Sequence, residues 1–232
     1  MSRPRGSIVQ FNWQDSPEGR EYFAGILRRN RRKIFGLLEI PSLPMQSPPD
    51  IINYKIVLYG KPGIGKTSTI AKLSGQEIPL THIETPGIQT TVIYWPVKLM
   101  SSSRVLMFRF QFWDCGDHAM KKYDHLLPVI ELKYQYYITN RFDQFLHSDI
   151  TEQELREFEE QWSVPVLKIA NKDGPRLSDG RGLDGRAGIL DVAPFLNTLA
   201  ELLWQHEQTL ASRQVSRNSS NSSRNSADRR IR

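Results

Sequence analysis

The chain has 232 residues, with 39% hydrophobic and 24% charged positions, the balance of an ordinary water-soluble α/β domain with extensions. Its formal charge of +6 is unevenly placed. Residues 1–40 hold eight Lys/Arg against four Asp/Glu and residues 207–232 six against two, so the middle is slightly acidic and the tails are what would meet anions. A single cysteine, Cys115, excludes an internal disulfide and fits a reducing compartment. No secretory leader and no bilayer-long apolar run is evident, and the patterns for prenylation and N-myristoylation are not met.

Residues 1–16 read as loose. From 17 to 39 a helix is expected: Tyr22, Phe23, Ile26 and Leu27 share a face and are followed by Arg28, Arg29, Arg31, Arg32 and Lys33. Such a helix either packs on the domain by its aromatic face or touches an acidic lipid or protein surface. Pro41–Pro49 holds four prolines and reads as a linker.

The most informative stretch follows. The apolar run Tyr54–Tyr59 leads into Gly60-Lys-Pro-Gly-Ile-Gly-Lys-Thr67, the pattern G-x-x-x-x-G-K-[ST]. Its glycines, Gly60, Gly63 and Gly65, let backbone N–H groups turn inward on phosphate oxygens, and the helix that opens near Lys66 adds its positive end. Lys66 supplies a point charge to the outer phosphates, and the Thr67 hydroxyl is a Mg²⁺ ligand. A helix over 67–73 closed by Gly75 is expected next. Residues 79–89 form a loop with Glu84-Thr85-Pro86-Gly87. Two strands, Thr90–Leu99 and Arg104–Trp113, flank the turn Ser101–Ser103. The second ends at Trp113-Asp114-Cys115-Gly116-Asp117, where Asp114 stands at a strand tip, the place of a Mg²⁺-organising carboxylate.

Beyond it come a short helix over 118–128, a strand over Lys133–Thr139, and Asn140-Arg141-Phe142-Asp143. A helix opens at the capping box Thr151-x-x-Glu154 and a strand runs from Val164 to Ala170. A last helix is expected to be capped by Asp191 with Pro194 in its first turn, and everything from about Gln208 to be disordered.

Taken in order, Gly60–Thr67, Thr85, Asp114 and Asn140–Asp143 resemble the motif series of Ras-superfamily small GTPases. The runs at 21–28, 33–39, 87–92, 112–116 and 183–188 narrow the resemblance to the Rem- and Rab-like small GTPases of the ciliogenesis and planar cell polarity effector module, over residues 8–206. The resemblance implies a Ras-like α/β fold: a mostly parallel sheet with helices on both faces. It also implies GTP/GDP and Mg²⁺ as cofactors, with Thr67, Thr85 and Asp114 at the metal. Gly60, Gly63, Gly65, Lys66, Thr67 and Gly116 would lie at the phosphates, and Asn140 and Asp143 on guanine. By the same resemblance the GTPase domain spans 51–206, between an N-terminal extension (1–50) and a basic tail (207–232). The implied setting is vesicle traffic, exocytosis and cilium assembly at the basal body and cytoskeleton, cytoplasmic, with the Fuzzy and Inturned proteins as partners. Contact with anionic membrane through the basic termini would be weak.

Three departures stand out. No glutamine follows Asp114-Cys-Gly116-Asp117-His118, which implies slow or absent GTP hydrolysis. Pro62 stiffens the loop. Only about 26 residues separate Asp114 from Asn140, too few for the strands and helices the resemblance requires, so one interior strand–helix unit is expected to be missing, through an alternative transcript or a misjoined gene. Asn171-Lys172-Asp173 is a weaker candidate for a base-contacting loop. A nucleotide-independent scaffold and a P-loop ATPase are the competing classes; Asp143 argues against the latter.

Overall fold

The computed structural model describes residues 8–27, 48–58, 62–76, 78–79, 81, 83–116, 122, 137–139, 152–162, 166–169 and 185–228. Its elements are a 3₁₀ turn (Trp13–Asp15), α1 (Pro17–Leu27), β1 (Asp50–Leu58), α2 (Lys66–Ser74), β2 (Ile88–Lys98) and β3 (Val105–Cys115). They continue with β4 (Tyr137–Thr139), α3 (Glu152–Trp162), β5 (Val166–Lys168) and α4 (Gly185–Asp228).

β3 is the centre of the main sheet. It pairs in parallel with β1, Tyr54 opposite Phe110, and antiparallel with β2, Ile93 opposite the same residue. Strict alternation explains its place: Leu106, Phe108, Phe110 and Phe112 all turn to one face and are buried there. Against them pack Ile93, Trp95 and Val97 of β2, Phe23 of α1, Ile70 and Leu73 of α2, and Val192, Leu196, Leu199 and Leu203 of α4. The last four recur at helical spacing.

This architecture corrects the expected one. The sheet is a three-stranded mixed sheet in the order β1-β3-β2, and β4 and β5 form a separate parallel pair. A Ras-like, mostly parallel sheet with helices on both faces is not what the chain builds. Among the described residues α1, α2 and α4 all feed the one core that contains the β3 phenylalanines. The physical reason lies in the short connection after β3. Strand β4 pairs with β5, and among the described residues no strand reaches the outer side of β1 to join the two sheets.

Three local expectations also change. Residues 8–16 are packed: Val9 and Trp13 are buried, Val9 bridges Leu99, the Gln10 N–H donates to the Lys98 carbonyl (2.9 Å) and the Met100 N–H to that of Ile8 (2.8 Å). Ser16 then caps α1, its Oγ accepting from the Gly19 N–H at 3.0 Å with Pro17 as first helical residue. α4 begins at Gly185, upstream of the expected cap. Asp191 lies within it, ion-paired to Lys72 of α2 at 2.8 Å, and Pro194 is interior but on the exposed side, where water can take the carbonyl it leaves unbonded. With no Gly or Pro after Pro194, α4 continues to Asp228 through the stretch expected to lack structure. Residues 28–47, and with them the basic cluster and most of the proline linker, lie outside the described residues.

Candidate functional site

The site forms where β1 and β3 end side by side. Leu58, the last residue of β1, is in register with Asp114 of β3. The glycine-rich turn follows β1. Gly63 and Gly65 adopt φ of 76° and 89°, conformations that L side chains rarely take, and nothing lies within 4 Å of where a Gly63 Cβ would stand. α2 starts at Lys66, and both the N–H and the Oγ1 of Thr69 donate to the Gly65 carbonyl at 2.9 Å. The far end of α2 closes at Gly75, also left-handed, with the Gln76 N–H on the Ala71 carbonyl at 2.8 Å. A helix start carries N–H groups outside the helical ladder and a positive partial charge, so an open turn feeding it suits an anion.

Three side chains that the sequence assigned to a metal converge beside this turn. Thr67 Oγ1 donates to Asp114 Oδ2 at 2.5 Å. Thr85 Oγ1 lies 3.2 Å from the same oxygen and 3.1 Å from Thr67 Oγ1. They come from α2, a loop and β3, the outer two 47 positions apart in sequence. Asp114 is only 2% exposed, yet its Oδ1 is buried without a hydrogen-bond partner. A buried carboxylate oxygen left in that state is costly, and a water held by a cation is the kind of donor that relieves it. Among the described residues no group of three His, Cys, Asp or Glu side chains could hold a metal alone. The donor set of two hydroxyls and one carboxylate fits Mg²⁺, which keeps waters and takes phosphate oxygens for its remaining positions.

Charges register at Cys115. Burial pushes its thiol pKa up, the neighbouring Asp114 carboxylate pushes the same way, and the Lys66 ammonium pulls it down. Gly116 is held against the Thr85 loop. Its N–H donates to the Gly87 carbonyl at 3.0 Å, and a Cβ on it would stand 2.2 Å from the Thr85 carbonyl oxygen. Gly87, with φ 77°, was not singled out from the sequence, although Pro86-Gly87 is a turn signal that could have marked it. Gly60, Asn140, Arg141, Asp143, Asp117, His118 and Asn171–Asp173 lie outside the described residues. So does all but Lys122 of the helix expected over 118–128. None of the described helices is long and apolar enough to cross a membrane.

The fold and this site together define an α/β protein with an anion-suited turn at a helix start, set against a Thr–Thr–Asp cluster. No protein-family model matches the chain. It is 46% identical to ciliogenesis and planar polarity effector 2 of Homo sapiens, over 91% of this chain and 95% of that protein. For the proteins of the same name in Xenopus laevis and Danio rerio the figures are 45% (88% and 95%) and 39% (93% and 94%). The chain belongs to the ciliogenesis and planar polarity effector 2 family. The human alignment runs over 246 positions, more than the chain's 232 residues, while drawing on 91% of them, so about 35 aligned positions have no counterpart here. The same comparison gives about 33 for the Xenopus laevis and Danio rerio proteins.

Proposed function

We propose that this chain is a GTP- and GDP-binding regulatory protein of the small GTPase class, acting in cilium biogenesis and planar cell polarity. The convergence of Thr67, Thr85 and Asp114 beside an open glycine turn, with Asp114 Oδ1 lacking a partner, carries the nucleotide part of this reading. The names of the relatives support the cellular part. In this reading Lys66 and the turn's N–H groups hold the phosphates. Thr67, Thr85 and Asp114 would hold Mg²⁺, which would supply positive charge to offset that of the phosphates. The Gly116 N–H, bonded here to the Gly87 carbonyl, would serve an outer phosphate, and Asn140 and Asp143 would select guanine. Hydrolysis is slow, since Asp117 and His118 stand where a water-orienting glutamine would follow. The chain would work at the basal body in targeted vesicle transport and exocytosis, with Fuzzy and Inturned proteins as partners.

The test is a fluorescent-nucleotide titration. GDP and GTP should bind about a hundredfold more tightly than ATP, roughly 2.7 kcal/mol, and Lys66→Ala should weaken them at least tenfold. Equal binding of ATP refutes the base assignment. A second reading, a nucleotide-independent scaffold of the same effector setting, draws on the closed state of the site: Thr67, Thr85 and Asp114 bond to one another, and Gly116 to Gly87. It requires that Lys66→Ala keep every protein partner captured by the unaltered chain.

A further inference from the structure

α2 opens on a glycine, where a serine, threonine, asparagine or aspartate is the usual cap. Gly65 precedes Lys66 with φ 89° and ψ 26°, and no side chain bonds to the first turn from that position. A capping oxygen there would occupy the N–H groups that a helix start offers to an anion. Glycine leaves them to the ligand, but it also brings conformational freedom, so the left-handed cap needs a hold from elsewhere.

The hold comes from Thr69. Its N–H and its Oγ1 both donate to the Gly65 carbonyl at 2.9 Å, the first as the ordinary helical bond and the second as an addition to it. The carbonyl of Gly65 and the N–H of Lys66 belong to one planar trans peptide, so they point in opposite directions. With the carbonyl gripped from within the helix, the Lys66 N–H is aimed out of the helix start, the end at which the glycine turn lies. Thr67, two positions earlier and about 200° round the helix, bonds to Asp114 instead. Hydroxyls also bond back four residues at Thr198, Thr209 and Ser212, but those bonds are exposed and grip carbonyls inside α4. Of these four residues Thr69 is the buried one, 2% exposed, and its bond falls on a cap.

We propose that Thr69 is a positioning residue of the anion site. Its hydroxyl fixes the Gly65–Lys66 peptide, so that the Lys66 N–H is already directed to the side a phosphate would take, and the turn binds with less ordering to complete. The inference rests on the nucleotide reading above and adds to it a residue that acts through the backbone without touching the ligand.

The experiment compares the full chain with Thr69→Val, which keeps the shape and loses the hydroxyl, and Thr69→Ser, which keeps the hydroxyl. Fluorescent GDP is titrated with Mg²⁺ present, and the Lys66 amide resonance is followed without nucleotide. Thr69→Val should bind GDP about fivefold more weakly, the worth of one neutral hydrogen bond, and its Lys66 resonance should shift and broaden. Thr69→Ser should match the unaltered chain in both readouts. Melting temperatures should agree within about 4 °C, since the helical N–H still satisfies the Gly65 carbonyl. Equal GDP affinity in all three chains overturns the inference, and so does a serine variant that behaves like the valine one. A larger fall in the melting temperature of Thr69→Val also overturns it, by making the hydroxyl a structural tie. Failure of the nucleotide reading is a different result: the unaltered chain then binds no GDP, and both proposals fall together.

Discussion

Replacing Asn197 by alanine should detach the N-terminal segment from the domain. Asn197 is completely buried on α4, and its carboxamide is fully used. Oδ1 accepts from Trp95 Nε1 at 2.8 Å and Gln14 Nε2 at 2.9 Å, while Nδ2 donates to the Phe11 carbonyl at 2.9 Å and Gln14 Oε1 at 3.2 Å. The indole N–H can only donate, which fixes the orientation of the amide. Truncation leaves the Trp95 donor, the Gln14 amide and the Phe11 carbonyl without this partner, in a region where Trp95 is fully buried and Gln14 nearly so. At about 1–3 kcal/mol for each buried polar group left unpaired, discounted because the three share one site, the loss should be about 3–5 kcal/mol. For a chain of this size that is a fall of about 6–20 °C in melting temperature. The assay is thermal unfolding together with limited proteolysis of residues 8–27, and a cycle with Gln14→Ala should show coupling above about 0.5 kcal/mol. A loss under about 1 kcal/mol, or one with no new cleavage in 8–27, would refute the reasoning.

Gly116→Ala should force the Thr85 loop away from β3, costing about 1–3 kcal/mol as an overpacked contact; unchanged thermal stability would contradict the 2.2 Å approach. Glu201→Ala removes the carboxylate that accepts from the Ile8 N–H at 2.8 Å and the Val9 N–H at 2.7 Å, so exchange at those two amides should rise sharply, and continued protection would count against the clasp. The raised pKa values of Cys115, above its ordinary 9.0, and of Tyr22, above 10.0, both arise first from burial. Protonated forms are then favoured by folding, so stability should be intact below about pH 9 and decline as pH rises through and beyond 10; a flat denaturation midpoint from pH 8 to 10.5 would refute this. Vesicle binding, driven by the basic stretches 28–33 and 213–232, should need anionic lipid and vanish in high salt, and retention on neutral vesicles would exclude it.

Local signals carried well into the structure. The glycine turn, α2 and its Gly75 closure, the alternation of β3 and the helix that opens after Thr151 depend on neighbours a few residues away, and each stands close to where its pattern puts it. The approach of Thr67, Thr85 and Asp114 was legible only through the motif series, because nothing local to Thr85 aims it at β3. What the pattern missed is non-local. Val9 and Trp13 sit in a stretch without period, and their burial depends on Leu99 and on α4 far along the chain. The sheet order failed because motif order says which strands exist and not which edges meet. Pro194 looked like a helix start because the exposed side of α4, where a proline is tolerated, cannot be told from a first turn without knowing what α4 packs on.

The clasp between the two ends of the chain also sets a timetable for synthesis. Val9 waits for Glu201, 192 residues later, and Gln14 for Asn197, 183 later. At about 5–20 residues per second, that is roughly 10–40 s during which Val9, Trp13 and Phe23 have been made but their covering helix has not. Residues 9–23 are therefore made well before the helix that buries them, and for that interval their aromatic side chains are open to chaperones or to a neighbouring nascent chain.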